Sequence, residues 1–137
     1  MMLRPRILLA DDDPLVREKL KNLLEQRFSV PGTFGDGEAL VAASRQLQPD
    51  LVVMDVSMPK LNGFDAARKL RTILPDVGII FVTGYADSAY DDEARRLGAF
   101  ACLPKKSVVS KLIPSIEQAL RPSSSTSRAS LQQDSSS

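Results

Sequence analysis

The stretch LVVMDVSMPKLNGFDAARKLR, residues 51–71, decides the fold. Its first four residues are apolar without polar alternation, which predicts a strand that is buried on both faces. Asp55 ends this strand. A loop with Pro59 and Gly63 then leads into a helix, whose apolar residues recur at helical spacing through residues 64–74. A buried strand followed by an amphipathic helix is the repeating unit of α/β folds.

The same unit recurs along the chain and predicts an α/β fold of five βα units. Their regular alternation indicates a parallel sheet covered by helices on both faces. Pro31 falls in the second strand and Pro104 at the end of the fifth, and proline is confined to edges and strand ends because it cannot donate to the ladder. The flavodoxin-like, doubly wound strand order 2-1-3-4-5 places both strands at edges. The strands are expected at residues 6–10, 29–34, 51–54, 78–82 and 99–103, and four of the helices at 14–26, 64–74, 87–97 and 107–120. Gly35 and Gly37 lead into the remaining helix, which carries Leu40, Ala43 and Leu47 on one face and is broken at residues 48–50.

The later helices carry further expectations. The fourth helix is polar, and only Ala94 and Leu97 are expected to face the core. Pro114 lies within the last helix and should bend it or delay its start. Basic residues of the third helix and of the loop before it are interpreted as solvated surface: Lys60, Arg68, Lys69 and Arg71.

Composition limits the kind of protein. The 137 residues suit one domain, predicted at residues 1–121, and the Ser-rich segment 122–137 is interpreted as a disordered tail or a linker stub. With 18 Lys and Arg against 17 Asp and Glu, the net charge of +1 gives no reason to expect nucleic-acid binding by this domain. No apolar run approaches the roughly 20 residues of a membrane helix, and there is no signal-peptide pattern. With Cys102 as the single cysteine, these features favour the cytoplasm.

Polar side chains stand at the ends of four predicted strands. Asp11 and Asp12 follow the first strand, Asp55 the third, Thr83 the fourth and Lys105 the fifth. Ligands of such sheets bind beyond the carboxyl ends of the strands, so we expect these side chains to lie close together. Clustered carboxylates repel one another unless a cation is present, and oxygen ligands suit Mg²⁺. Histidine is absent, which excludes Ser-His-Asp and Cys-His catalysis and most zinc chemistry.

The cluster therefore predicts phosphoryl chemistry. Asp55 can act as a nucleophile toward phosphorus and form an acyl phosphate. A bound cation and Lys105 would neutralise charge on the phosphoryl oxygens, while Thr83 donates a hydrogen bond to one of them.

With its surrounding motifs, this constellation resembles the receiver domain of two-component response regulators, with a chemotaxis-regulator-like fold. The resemblance covers about residues 6–120, and its strongest parts are LLADDDPLVR, LVVMDVSMPKLNGFDAARKLR, FVTGYAD and LGAFACLPK. It implies a phosphoacceptor signalling module of a phosphorelay, which catalyses only its own phosphorylation and dephosphorylation. It implies a sensor histidine kinase or a histidine phosphotransfer protein as the donor, and a face of the fourth helix, fifth strand and fifth helix for partners or a homodimer.

The resemblance also assigns roles to single residues. The family's acidic pair, which binds Mg²⁺ or Mn²⁺, matches Asp11 and Asp12, with Asp12 as the direct ligand. The remaining matches are Asp55 as phosphoacceptor and metal ligand, Ser57 as the metal-binding backbone carbonyl, Thr83 as the switch hydroxyl and Lys105 as the phosphoryl-binding lysine. Ser57 and Tyr85 match positions that tune how water reaches the acyl phosphate; for Tyr85 a solvent-facing loop residue is the alternative.

One position departs from the family. Three residues before the lysine, where receivers usually carry an aromatic residue that follows the switch hydroxyl, this chain has Cys102. Phe100 lies two residues earlier and is expected on the same face of the strand. Cys102 is interpreted as a small buried apolar residue, with a redox role as the alternative.

Three other functions are alternatives to a phosphorylated receiver. A flavodoxin-like flavin protein would need a hydroxyl- and glycine-rich loop after the first strand, where Asp11, Asp12 and Asp13 stand. An aspartyl phosphatase would need a second acid two residues beyond its nucleophile, where Ser57 stands. A degenerate receiver would bind partners without phosphorylation. A single-domain regulator and the receiver part of a longer DNA-binding transcriptional regulator both remain open, because LLADDDPLVR resembles receivers attached to helix-turn-helix output domains.

Overall fold

The computed structural model describes residues 3–85 and 87–122, and it contains five strands and five α-helices in strict alternation within them. The strands are β1 (Arg6–Ala10), β2 (Ser29–Phe34), β3 (Leu51–Asp55), β4 (Gly78–Thr83) and β5 (Ala101–Pro104). The helices are α1 (Pro14–Leu24), α2 (Gly37–Leu47), α3 (Gly63–Ile73), α4 (Ser88–Arg96) and α5 (Val108–Ala119), with a 3₁₀ turn at Lys105–Ser107 before α5. The predicted segment 122–137 lies outside the described residues except for its first residue.

All five strands are parallel and run in the order β2-β1-β3-β4-β5, which confirms the predicted topology. Pro31 lies in the edge strand β2 and Pro104 ends the edge strand β5, as the lack of a proline N–H requires. The central strand β3 is buried at every residue. Such a sheet brings the carboxyl ends of all strands to one edge.

Successive strand residues face opposite sides of the sheet, so two hydrophobic clusters form. Leu8, Val52 and Phe81 point to one side, where α2, α3 and α4 cover them. Leu9 and Val53 point to the other side, where α1 and α5 cover them. No helix in the described part of the chain is long and apolar enough to cross a bilayer.

Side-chain caps explain where four helices begin. Asp13 accepts hydrogen bonds from the backbone N–H groups at the start of α1, and Pro14 occupies the first helical position. Asp36, Asn62 and Asp87 cap α2, α3 and α4 in the same way. These caps fix where the chain turns from the carboxyl end of a strand into the following helix.

Several predicted boundaries were wrong. Helix α1 ends at Leu24 rather than residue 26, and β5 begins at Ala101 rather than residue 99. The prediction that Pro114 delays the last helix is wrong, since α5 begins at Val108 and continues through the proline. Proline costs the helix one N–H donor at this position. In α4, Ala94 is buried as expected, whereas Leu97 is only partly buried.

Arg71 corrects the prediction of a solvated basic face on α3. Its side chain is half-buried and donates to four backbone carbonyls. The acceptors are Leu97 (2.9 Å), Gly98 (2.9 Å), Pro75 (3.1 Å) and Val77 (2.6 Å). One guanidinium therefore joins the turn after α3 to the turn after α4.

Replacing Arg71 by Met should lower the free energy of unfolding by about 2–4 kcal/mol, because partly buried carbonyls lose their donors. Urea denaturation followed by circular dichroism measures the change. Lys69→Met is the matched control: Lys69 is exposed on the same helix and should change stability by less than about 0.5 kcal/mol. Equal effects of the two substitutions would contradict the structural role of Arg71.

Candidate functional site

The polar residues predicted at the strand ends lie at one edge of the sheet. Asp55 is the last residue of β3 and Thr83 the last residue of β4. Asp11 directly follows β1, and Lys105 directly follows β5. Because all four strands are parallel, their carboxyl ends deliver these side chains to one place.

Three carboxylates form the centre of this site. Asp11, Asp12 and Asp55 each offer an oxygen atom, and these three atoms lie within 4.8 Å of one another. Asp11 is 1% exposed and Asp55 is 4% exposed, whereas Asp12 faces solvent. The ammonium of Lys105 lies 2.9 Å from Asp55 Oδ2 and 3.4 Å from Asp11 Oδ2. One lysine thus contacts two of the three acids.

Burial and charge act together on two of these groups. Burial raises the pKa of Asp11, and the negative charge of Asp55 adds to the effect, against a hydrogen bond from the Asp13 backbone and the charge of Lys105. Burial alone would lower the pKa of Lys105, but its contacts with Asp55 and Asp11 outweigh burial and raise it. Lys105 therefore remains protonated beside the two acids.

The loop after β3 fixes the carboxylate of Asp55. The Ser57 N–H donates to Asp55 Oδ1 at 3.2 Å, and the Gly63 N–H donates to the Val56 carbonyl at 2.8 Å. A Cβ atom on Gly63 would stand 2.4 Å from the Asp55 carbonyl oxygen, so only glycine lets α3 begin this close to the strand end. The group of Ser57 that contacts the Asp55 carboxylate is its backbone N–H.

The side chain of Thr83 is hydrogen-bonded to the loop that follows β4. It is buried, and its Oγ1 accepts a hydrogen bond from the Tyr85 N–H at 3.0 Å. A Cβ on Gly84 would meet no atom within 4 Å, so the space above this residue is open. The side chain of Tyr85 is 66% exposed, as expected for a loop tyrosine beside a site open to water.

Cys102 occupies the strand position three residues before Lys105. It is half-buried and packs against the cluster that contains Phe81. With Thr83, Tyr85 and Pro104 it lines a cavity of about 310 Å³. Phe100 precedes β5 and is partly exposed; with Cys102 it lines a cavity of about 270 Å³ between α4 and β5. That the two residues share a face of the strand stays a prediction.

Sequence reasoning missed a row of aromatic rings beside the site. Phe64 contacts Phe81 edge-to-face at 5.0 Å between centroids and contacts Tyr90 at 5.6 Å. Tyr90 in turn contacts Tyr85 at 6.3 Å. A signal for Tyr90 was available in the sequence. Tyr90 lies four residues before Ala94, on the same face of an otherwise polar helix.

The donor set fits a hard divalent cation. Asp11, Asp12 and Asp55 supply oxygen atoms only, from two buried acids and one exposed acid. Mg²⁺ and Mn²⁺ take such ligands, whereas zinc and copper prefer nitrogen and sulfur. Three carboxylates opposite one ammonium leave negative charge that a divalent cation would offset.

Comparisons with known proteins agree with this geometry. A family model described as "Response regulator receiver domain" matches residues 7–117. The chain is 36% identical over 118 residues to the uncharacterized transcriptional regulatory protein YxjL of Bacillus subtilis, covering 85% of this chain and 54% of that protein. It is 38% identical to the transcriptional regulatory protein PdtaR of Mycobacterium tuberculosis, covering 84% and 56%. The chain thus spans about half the length of the curated relatives it matches.

Solved structures are similar over the same region. A LuxR-family two-component response regulator from Aurantimonas sp. SI85-9A1 aligns with a TM-score of 0.80 and 32% identity, covering 84% of each chain. The response regulator domain of Thermotoga maritima CheB aligns with a TM-score of 0.78 and 29% identity, covering 85% of this chain and 96% of that one. Both similarities extend across the sheet and its five helices.

The thiol of Cys102 should react slowly. Burial, with a smaller effect of the Asp91 charge, raises its pKa from 9.0 to about 11. The thiolate is the reactive form, so alkylation by iodoacetamide at pH 8 should be about 100-fold slower than in the denatured chain. Intact mass measures the rate, and any adduct belongs to Cys102 because the chain has one cysteine.

The pH dependence separates the pKa from simple access. In the native protein the alkylation rate should still rise about tenfold per pH unit between pH 8 and pH 10, because the thiol remains mostly protonated there. In denaturant the rate should reach half of its maximum near pH 9 and level off above about pH 10. A native rate that reaches its plateau below pH 9 would contradict the raised pKa of Cys102.

Proposed function

Because the chain belongs to the family of response regulator receiver domains, we propose that it accepts a phosphoryl group on Asp55 from a partner's phosphohistidine and thereby switches its protein–protein contacts. Receiver domains are signalling modules, and this proposal assigns the chain no reaction beyond its own phosphorylation and dephosphorylation. The assignment of individual residues rests on the geometry of the strand-end site.

The observation that carries the proposal is the setting of the Asp55 carboxylate. It is buried at a strand end, bonded to Lys105 at 2.9 Å, and grouped with the carboxylates of Asp11 and Asp12. A lone buried acid would need only one counter-charge. A buried acid that shares its lysine with a second acid, beside a third that faces solvent, is suited to a cation and an anionic substrate.

Asp11, Asp12 and Asp55, with the backbone carbonyl of Ser57, would hold Mg²⁺ or Mn²⁺ in this site. When bound, the cation neutralises charge on the phosphoryl oxygens. Asp12 suits the role of direct ligand because it is exposed.

The side chains of the site divide the transfer among them. An Asp55 carboxylate oxygen attacks phosphorus and forms an O–P bond, while the P–N bond of the phosphohistidine breaks. The imidazole nitrogen leaves with the electron pair and takes up a proton. Lys105 supplies positive charge to the phosphoryl oxygens. Thr83 Oγ1 accepts from the Tyr85 N–H and retains its own hydrogen, which it can donate to a phosphoryl oxygen.

The phosphodonor histidine lies outside this sequence, because the chain contains no histidine. A sensor histidine kinase or a histidine phosphotransfer protein is the partner of matching chemistry. Residues 1–121 form the receiver domain in this proposal, supported by the family match to residues 7–117. A cytoplasmic location accords with the single cysteine of the chain.

The relatives support a proposal for the output of the switch. Several relatives are named as transcriptional regulatory proteins about twice as long as the matched region, which supports a role as the receiver part of a DNA-binding regulator. In this role the receiver contacts no nucleic acid itself. The face of α4, β5 and α5 would contact a partner or a second copy, because Phe100 is partly exposed there and the cavities between α4 and β5 open to it.

Phosphorylation gives the direct test. Incubation with magnesium and acetyl phosphate should add about 80 Da, one phosphoryl group, to the wild type and nothing to Asp55→Asn. Intact mass spectrometry measures the adduct. Asp92→Asn is the matched control, since Asp92 is an exposed carboxylate on α4 and its loss should leave the adduct unchanged. A wild type without an adduct, or an adduct of equal size on Asp55→Asn, would contradict the role of Asp55.

Tyr85 and Ser57 are proposed to set how fast water removes the phosphoryl group. Tyr85 lies two residues after Thr83 and lines a cavity with it, so Tyr85→Ala should open the acyl phosphate to water and shorten its half-life about two- to fivefold. Decay of the phosphorylated protein, followed by mass after the donor is removed, measures this. Tyr85→Phe keeps the ring and should leave the half-life unchanged. Equal half-lives in all three proteins would assign Tyr85 to the solvated loop alone.

A further inference from the structure

Arg17 lies close to the acidic site but binds no acid there. It is half-buried in α1, and its Nη1 donates to the backbone carbonyl of Asp11 at 2.6 Å. None of the ion pairs found among residues 3–85 and 87–122 involves Arg17. The guanidinium therefore binds a backbone carbonyl although three carboxylates lie nearby. The local geometry, rather than attraction to the nearest anion, sets its position.

The sequence makes room for this contact. A Cβ atom on Gly35 would stand 3.2 Å from Arg17 Nη1, so any side chain at position 35 would crowd the guanidinium. Gly35 directly follows β2, whose last residue, Phe34, accepts the Asp11 N–H at 3.0 Å. The end of β2 and the side chain of Arg17 therefore hold the backbone of Asp11 from both sides.

Every polar group of Asp11 is engaged. Its N–H donates to Phe34, its carbonyl accepts from Arg17, its Oδ1 accepts from the Asp13 N–H at 2.9 Å, and its Oδ2 faces Lys105. Asp12 is the opposite case. It is exposed, and within the described part of the chain no donor binds its carboxylate.

The position of the Asp12 carboxylate thus depends on the backbone that carries it. The carbonyl that Arg17 binds belongs to the peptide unit between Asp11 and Asp12. That planar unit joins the Cα atoms of the two acids, so its orientation sets where the Asp12 Cα lies relative to Asp11. A held carbonyl therefore limits how far the two acids can move relative to each other.

We propose that Arg17 is a positioning residue of the divalent-cation site: by holding the peptide between Asp11 and Asp12, it presents both carboxylates to the cation. The inference rests on the proposed function, because it requires a cation at this site. In this proposal Arg17 does not bind the cation itself. It affects cation binding by positioning Asp11 and Asp12.

Charge and position make opposite predictions for this residue. A guanidinium near a cation site repels the cation, so its removal would tighten Mg²⁺ binding if charge alone mattered. Mg²⁺ demands near-ideal octahedral geometry, so a loosened pair of ligands weakens its binding. Residues that orient metal ligands typically change affinity by about 10- to 100-fold when replaced. The sign of the change in affinity therefore distinguishes the two effects.

Isothermal titration with MgCl₂ measures the dissociation constant for the wild type, Arg17→Met, Arg17→Lys and Lys19→Met. We expect about a tenfold higher dissociation constant for Arg17→Met and a partial return toward wild type for Arg17→Lys, which keeps a donor and a charge. Lys19→Met removes an exposed charge from the same helix and should not weaken Mg²⁺ binding. Circular dichroism at the titration temperature confirms that each variant is folded.

The outcomes separate this inference from the function on which it rests. If the wild type binds Mg²⁺ and Arg17→Met binds it equally or more tightly, Arg17 has no positioning role, whatever its effect on unfolding temperature. If Arg17→Met only unfolds at lower temperature while its dissociation constant is unchanged, the role is structural and the inference is overturned. If the wild type itself binds no Mg²⁺, the metal site of the proposed function fails together with the inference.

Discussion

Two carboxylates, those of Asp11 and Asp55, lie almost fully buried at one edge of the sheet and share the ammonium of Lys105. Buried charges destabilise a fold unless they are paired, and one lysine cannot fully compensate two acids with Asp12 beside them. The fold tolerates this because parallel strands bring β1, β3 and β5 to a common edge, where solvent remains in reach of Asp12. The remaining negative charge would favour a divalent cation at this edge.

The geometry of these acids is held mainly by backbone contacts. Asp55 is fixed by the Ser57 N–H and by the close approach of Gly63, while Asp11 is fixed by Phe34 and Arg17. Such contacts come from the turns that follow β2 and β3 and from α1, rather than from other acids. Backbone contacts therefore hold the two buried acids, whereas the side chain of Asp12 reaches solvent.

The sequence predicts the sheet and most of the polar residues at its strand ends, because both follow from the local pattern of apolar and polar residues. Apolar runs ending in Asp55 or Thr83 give strands and their ends, and prolines assign the edges. The partners of Arg71 could not be predicted, because its four carbonyl acceptors come from turns that only the folded chain brings together. The contact of Arg17 could not be predicted for the same reason, because its acceptor is the backbone carbonyl of Asp11, which has no signature in the sequence. Boundaries such as that of β5 depend on tertiary hydrogen bonds, for example from the Phe100 N–H to the Ile79 carbonyl.

The small side chain of Cys102 sets the packing beside Thr83. A receiver with an aromatic residue at that strand position has a ring to fill the space beside the hydroxyl, whereas here a small side chain leaves a cavity of about 310 Å³. The hydroxyl also contacts the loop that follows β4. Thr83 Oγ1 is bonded to the Tyr85 N–H, and the Tyr85 ring meets Tyr90 in α4, which meets Phe64 in α3. Tyr85 and Tyr90 therefore join Thr83 to α4, in addition to the direct packing of α4 on β5.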